Sequence, residues 1–449
     1  MKRRRTLLVV ALLGLPLVAS AQFFNNFADG GDLLSTPAGR ALAQVYGALN
    51  AGYLNKVDDN KLLEGSIAGM LEALEDPYTS YASPEQAAQE VENRSGSFQG
   101  IGATLQARNR EKNTIVEVIT VFEGSPAAKA GVESGDIFVE IDGKDVSNET
   151  TDEIVQKVRG PAGTEVELGF RRHGQAKPVR LTVTRGSIDI IDVESAILPQ
   201  NVGYVSIRSF ANARVFDQLD AALNSLKEQG VSSLVLDLRN NGGGLLDQGI
   251  RVADEFLSSG DIVFQRARGV TQRLAEADPA SFDLPMVVLV NRNSASASEI
   301  VAGALQDNGR AEVVGETTYG KGVGQSVISL PNGGQLVYLS FEWLTPDRRS
   351  INKKGIIPDV KVTDALVPQG LALEGQGAQK GQKIEIVVNG KKLGNARIDA
   401  DGKFTFVQPF DRPADSAVQG EAVVNLENDP ALQAAFNEVL KVSRQVAQQ

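Results

Sequence analysis

The chain reads as a multidomain α/β protein, and three observations carry that reading. Its 449 residues exceed what one ordinary core organises. The residue texture changes several times along it. Between 201 and 362, β-branched runs alternate with amphipathic helical runs through short turns rich in glycine or serine. A hydrophobic content of 42% and a charged content of 22% are those of a chain that folds. Lys and Arg number 45 against 56 Asp and Glu, a net charge of −11, and no dense basic block follows the first five residues. Nucleic acid is therefore excluded as the expected partner.

The opening MKRRRTLLVVALLGLPLVASAQ has a basic start, an apolar run from Leu7 to Val18 and small residues at Ala19 and Ala21. It predicts a secretory signal peptide over 1–21, because the apolar run is shorter than the ~20 residues that span a bilayer. Membrane contact is expected only through this segment, if it stays uncleaved. The chain has no cysteine, so it has no lipid-attachment site and no disulfide. The expected location is exported: bacterial periplasm, cell envelope or extracellular. Oligomeric state is not legible in the sequence.

Residues 22–94 predict a helical module. Leu62, Leu63, Ile67, Met70, Leu71 and Leu74 fall on one helical face, Asp76-Pro77 ends that helix, and Ser83-Pro84 starts another. From 95 to 187 short β-branched runs are broken by glycine, in GIGATLQ, GSPAAKAGVESGDIFVEIDGKDV and VRGPAGTEVELGFRR. The second string resembles a bacterial-type PDZ domain. In that family a glycine-apolar-glycine-apolar loop offers backbone N–H groups to a peptide's terminal carboxylate, and the following strand edge pairs with the peptide. Gly100, Ile101, Gly102 and Ala103 match that loop; taken alone, those glycines would do no more than shape a hairpin. Residues 188–363 form the α/β core, 364–380 read as a Gly, Gln and Ala linker, and 381–449 as a β-rich piece with Asn-Gly and Asp-Gly hairpins followed by an amphipathic helix.

Within the core, SASASEI from Ser294 to Ile300 follows a strand and opens a helix. Ser296 with Glu299 fits a capping box. A strand that feeds abruptly into a helix also holds a serine at the sheet's edge, beside free N–H groups at the helix's positive end, where it can attack a carbonyl. Such a serine needs a base, and His173, the one histidine, lies in the polar hairpin RRHGQ. A lysine serves if burial lowers its pKa by about three units, at about 4 kcal/mol. Lys321, in GETTYGKGVGQ, is the best candidate. Gly315 to Lys321 also spells the start of a phosphate-binding loop, but Gly322 stands where Ser or Thr should hold magnesium and strand pattern follows where a helix should. No nucleotide is expected. The glycines after Asn240-Asn241 fit a tight strand-to-helix turn and equally a backbone donor facing the serine.

In GMLEALEDPYTSY, GSFQGIGA, LVLDLRNNGGGLL, NSASASEIVAGALQDNGRAEVVGETTYGKGVGQ and SINKKGIIPDVKV, in that order, the chain resembles the carboxyl-terminal processing peptidases, or tail-specific proteases. The resemblance implies a crotonase-like α/β serine protease core behind a PDZ domain. It implies Ser296 as nucleophile, Lys321 as general base, Gln325 as its support, and an oxyanion hole from the N–H groups of Ala297 and a glycine of the Gly242–Gly244 turn, foremost Gly243. The family's Asp-Pro-Tyr-Ser reads Asp76-Pro77-Tyr78-Thr79 here. The expectation is a Ser-Lys endopeptidase that cleaves exported proteins and selects free, apolar C-terminal tails through its PDZ domain, with no metal and no cofactor. The alternative is a tail-binding scaffold with an inert core.

Overall fold

The computed structural model describes residues 31–109, 112–175, 177–279, 282–363 and 429–446, with short pieces at 372–375, 382, 384–388, 391–398, 404–407, 422 and 424–426. Residues 1–21, which the sequence predicts to be a signal peptide, lie outside the described residues. The chain divides into two units, Met1–Ser83 and Pro84–Gln449.

In the first unit, α1 (Gly31–Ser35), α2 (Pro37–Gly52) and α3 (Asp59–Glu72) precede a short strand, β1 (Ser80–Ala82). Thr36 caps α2 by accepting the Gly39 N–H at 3.0 Å, with Pro37 preset for the first helical position. The apolar stripe of α3 is only partly covered: Leu62, Ile67 and Leu71 are half-buried, whereas Leu63, Met70 and Leu74 are exposed.

The second unit begins with α4 (Pro84–Arg94) and then β2 (Ser97–Gly100), which pairs antiparallel with β9 (Gly186–Asp189). This pair carries the chain into and out of a β-domain. There β3 (Ala103–Asn109), β4 (Thr114–Val121), β5 (Ile137–Ile141), β7 (Glu165–Arg171) and β8 (Val179–Thr184) lie in the order β3-β4-β5-β7-β8, with β6 (Lys144–Asp145) paired to β5. Two helices cover it: α5 (Pro126–Ala130), capped by Ser125 and ended by Gly131 at φ 83°, and α6 (Thr151–Val158), with a Thr150/Glu153 capping box. Phe138 and Phe170 meet edge-to-face at 4.7 Å in its core. His173 is exposed in the β7–β8 hairpin, as the polar RRHGQ string predicts.

The core sheet runs β10-β11-β12-β15-β16-β19, formed by β10 (Val193–Leu198), β11 (Val202–Ile207), β12 (Ser233–Asp237), β15 (Met286–Val290), β16 (Glu312–Gly315) and β19 (Val360–Lys361). Every pair is parallel except β10–β11. Its central strands β12 and β15 are buried on both faces, so they carry unbroken apolar runs, and alternate residues still serve different layers. Leu234, Leu236, Val288 and Val290 pack with α7 (Val215–Glu228), α8 (Leu246–Phe256) and α9 (Ala297–Asp307). Val235, Val287, Leu289 and Val314 pack against Ala431, Leu432, Ala435, Phe436 and Val439 of α10 (Pro430–Val446). The C-terminal helix is thus a full layer of the core.

Beside this sheet, β13 (Asp261–Ala267), β14 (Val270–Glu276), β17 (Val323–Ser329) and β18 (Gln335–Leu344) pair antiparallel, β13 with β14 and β18, and β18 with β17. The span read as a linker contains a strand, β20 (Ala372–Gly375), paired with β24 (Phe404–Val407). Composition hid it because pairing to a strand about thirty residues on leaves no local period. The hairpins β21 (Glu385–Val388) with β22 (Lys391–Asn395), and β23 (Arg397–Ile398) with β24, lie where the sequence places them. Their turn dipeptides fall outside the described residues.

Candidate active site

Strand β15 ends at Val290 and α9 begins at Ala297, and Ser296 between them takes φ 56°, ψ −114°. A non-glycine residue there costs on the order of 1–3 kcal/mol and persists only when its surroundings fix it. They do. Ser294 Oγ donates to the Leu238 carbonyl at 2.8 Å and accepts the Asn291 N–H at 3.0 Å. The Ala295 N–H and the Ser298 Oγ both donate to the Asn241 carbonyl at 2.9 Å. Ser294 and Ser298 are fully buried fasteners, and Ser296 is the serine of the cluster left partly open.

The glutamate of the capping box is in place: the Ser296 N–H donates to Glu299 Oε2 at 2.8 Å. The same carboxylate, with no exposed surface, also accepts from Thr318 Oγ1 at 2.5 Å, the Gly320 N–H at 2.7 Å and the Lys321 N–H at 2.9 Å. Burial raises its pKa above the ordinary glutamate range, and the four donors oppose that rise. Glu299 therefore ties the serine turn to the lysine loop. Sequence reasoning sees only the local cap, because the other donors come from 19 to 22 residues away.

Lys321 is half-buried, and burial lowers its pKa from the ordinary 10.5. Its Nζ donates to Gln325 Oε1 at 3.1 Å, and its carbonyl accepts the Trp343 Nε1–H at 3.0 Å. The flanking glycine is required: a Cβ on Gly322 would stand 2.6 Å from the Asn352 nitrogen. After Lys321 the chain enters β17 rather than a helix, so the phosphate-loop geometry is not formed here.

Gly243, at φ 94°, lies against the serine: a Cβ there would be 2.7 Å from Ser296 Cβ and 2.9 Å from the Ala297 nitrogen. Its N–H donates to Asn241 Oδ1 at 2.9 Å, while Asn241 Nδ2 donates to the Ile207 carbonyl at 2.8 Å. The Ala297 N–H sits in the first turn of α9, where an α-helix supplies no internal acceptor. A cleft of about 430 Å³ is lined by Ser296, Ala297, Lys321, Gln325 and the glycines 242–244, with apolar walls from Leu245, Ile300 and Phe341.

In the β-domain, Gly100 ends β2, and Gly102 turns at φ 79° into Ala103, the first residue of β3. The Ile101 side chain is 4% exposed and belongs to the domain core, with its carbonyl accepting the Ala127 N–H at 2.8 Å. Strand β3 is the end strand of its sheet among the described residues, with α6 beside it. Among the described residues, no group of three or more His, Cys, Asp or Glu could hold a metal ion, and no helix is long and apolar enough to cross a membrane.

The model of peptidase family S41 matches residues 201–362, that of the PDZ domain 117–172, and that of the activating protease CtpB N-terminal domain 34–86. A probable CtpA-like serine protease of Staphylococcus aureus (strain COL) is 36% identical over 361 residues, 80% of this chain and 71% of the relative. Its counterpart in Staphylococcus haemolyticus is 36% identical over 327 residues, 72% of this chain and 64% of that protein. Among solved structures, the photosystem II D1 C-terminal processing protease is 31% identical, covering 72% of this chain and 92% of its own, with a TM-score of 0.42. The chain belongs to peptidase family S41, among the PDZ-containing carboxyl-terminal processing proteases.

Proposed function

We propose that this chain is a serine endopeptidase working through a Ser296–Lys321 dyad on exported proteins chosen by their C-terminal tails. The observation that carries the dyad is the Glu299 carboxylate, which binds the backbone of both residues and so fixes the serine turn against the lysine loop. Neutral Lys321 Nζ keeps one N–H on Gln325 Oε1, which leaves its lone pair to take the Ser296 hydroxyl proton as Oγ attacks the scissile carbonyl. The resulting oxyanion is met by the Ala297 N–H and by a glycine amide of the facing turn. Gly243 is nearest, and its N–H, shared with Asn241 Oδ1, takes the oxyanion as a second acceptor or exchanges one for the other. The ammonium of Lys321 then protonates the leaving amine, and water repeats the sequence on the acyl-enzyme.

Tail selection rests on the Gly100–Ala103 loop and the end strand β3, which can receive a peptide as an added strand with its carboxylate at the loop's N–H groups. Export rests on the 1–21 segment. The test is cleavage of an unfolded polypeptide followed by mass. Ser296→Ala and Lys321→Ala should abolish it with the fold intact, and Lys321→Arg should fail too, because guanidinium does not release its proton at workable pH. Appreciable turnover by Lys321→Arg rules out the lysine base. Equal cleavage of free and amidated tails by the wild type rules out the tail reader.

A further inference from the structure

Arg239 opens the turn that carries Asn240, Asn241 and the three glycines, and its side chain is only 12% exposed. The guanidinium is held from two directions. Asp237, on the same strand end, accepts from Nε at 3.0 Å and from one terminal nitrogen at 2.7 Å, and is itself fixed by the Tyr204 hydroxyl at 2.9 Å. Asp429 supplies the second grip, with its two carboxylate oxygens receiving the two terminal nitrogens at 2.9 and 2.7 Å. Asp429 comes from 190 residues further on and stands immediately before α10, where its Oδ1 also accepts the Leu432 N–H at 2.9 Å and caps the helix. One carboxylate therefore starts the C-terminal helix and grips the root of the glycine turn. Beyond Arg239 the grip continues: the Asn240 N–H donates to Asn291 Oδ1 at 3.0 Å, and the Asn291 and Asn293 amides both donate to Asn240 Oδ1 at 2.9 Å.

From this we infer that Asp429 is a positioning residue for catalysis: through Arg239 it holds the glycine turn in register with the Ser296 turn, so the residue that caps the C-terminal helix, outside the 201–362 match, serves the site. The inference rests on the proposed reading that this turn serves the oxyanion. A forked ion pair fixes both distance and direction, which a single hydrogen bond does not. Angular slack in the turn would fall on the transition state, where a misplacement of about 1 Å costs on the order of 10²-fold in rate.

The test separates the grip from the cap and from stability. Asp429→Ser and Asp429→Asn both keep a side-chain oxygen to cap α10 but remove the charge that holds Arg239. Val439→Ala weakens the packing of α10 and leaves Asp429 and Arg239 untouched. With the full chain and a peptide substrate, the Asp429 variants should lose about 10-fold to 100-fold in kcat with little change in KM. Amide hydrogen exchange over 240–245 should quicken in them. Val439→Ala should melt earlier with wild-type kcat below its transition and unchanged exchange in that segment. Asp429→Glu, which restores the charge one methylene further out, should recover part of the loss. Wild-type exchange over 240–245 in both Asp429 variants overturns the inference, as does a kcat loss that merely follows the fall in Tm across all variants. If Ser296→Ala stays active, the dyad reading is what fails, and the exchange result alone then decides the role of Asp429.

Discussion

Glu299 shows at the level of a single side chain how much of the site a local motif leaves out. Ser296 and Lys321 could be put forward from short strings in a chain whose one histidine is exposed, and Gln325 from the family resemblance. Glu299 was legible only as a helix cap, since its bonds to Thr318, Gly320 and Lys321 form after the chain has folded back. Glutamine there would offer one acceptor and turn an NH₂ toward backbone N–H groups that need an acceptor. Glu299→Gln should therefore lower kcat by about 10²-fold while KM for a short peptide holds, as steady-state kinetics would show. The lowered pKa of Lys321 gives a second prediction. The proposed lysine base works only as the neutral amine, so kcat/KM should fall with falling pH through one ionisation whose midpoint lies below 10.5, measurable in a pH–rate profile. The same shift has a stability sign. The folded state disfavours the ammonium that the unfolded chain keeps, so stability grows as pH rises through that window. Lys321→Met should accordingly be inactive yet melt no earlier than wild type near neutral pH.

Among the elements, legibility followed burial. Strand β15 is apolar throughout and β12 is apolar from Leu234 to Leu236 because both faces are covered, and they stood out from the sequence at once. The β13–β14 hairpin did not: past the buried Ile262, Val263 and Phe264 its residues are mostly polar and partly exposed, and its turn is Arg268-Gly269 at φ 48° and 82°, with both central residues left-handed. The Gly100–Ala103 loop was matched to the PDZ pattern through the GSPAAKAGVESGDIFVEIDG string that follows it, and the burial of Ile101 was not foreseen. It is packed into the core, so in the proposed tail reader any apolar selectivity would have to come from other side chains around β3. Gly102 is the residue of that loop with no room for change: it holds φ 79°, and a Cβ would lie 2.5 Å from Ser125 Cβ. Gly102→Ala should cost roughly 1–3 kcal/mol in that domain and weaken binding of free-tailed peptides, with the hydrolysis of a small tail-less ester by Ser296 unchanged. Peptide titration by fluorescence anisotropy beside ester turnover would check it, and equal loss of both would place the effect on the fold at large.

Taken across the whole second unit, the layer least legible in the sequence is the one that closes the core. The amphipathic pattern of α10 foretold a helix, but nothing local said that it covers the second face of the catalytic sheet, because its partners β12, β15 and β16 lie more than a hundred residues earlier. That layer carries an electrostatic conflict. Glu312, at the start of β16, faces Glu438 of α10, and Glu312 Oε2 is buried without a donor. Two ionised carboxylates cannot hydrogen-bond each other, so the contact is made only when one holds a proton. Burial first, then the bond and charge of Glu438, raise the Glu312 pKa, with Asp359 adding to the rise and Lys441 opposing it. A carboxyl whose pKa rises on folding binds its proton more tightly in the folded state. Its stabilisation is therefore present below the unfolded glutamate pKa and is lost as pH rises through the folded value. Glu312→Gln supplies a permanent donor to Glu438 without the charge. It should raise Tm at pH 7 to 8 and leave it nearly unchanged near pH 4, where wild-type Glu312 already carries the proton. Calorimetry of both proteins across that range decides it: a gain of equal size at both ends would mean that packing, and not the carboxyl pair, limits how firmly the C-terminal helix closes the core.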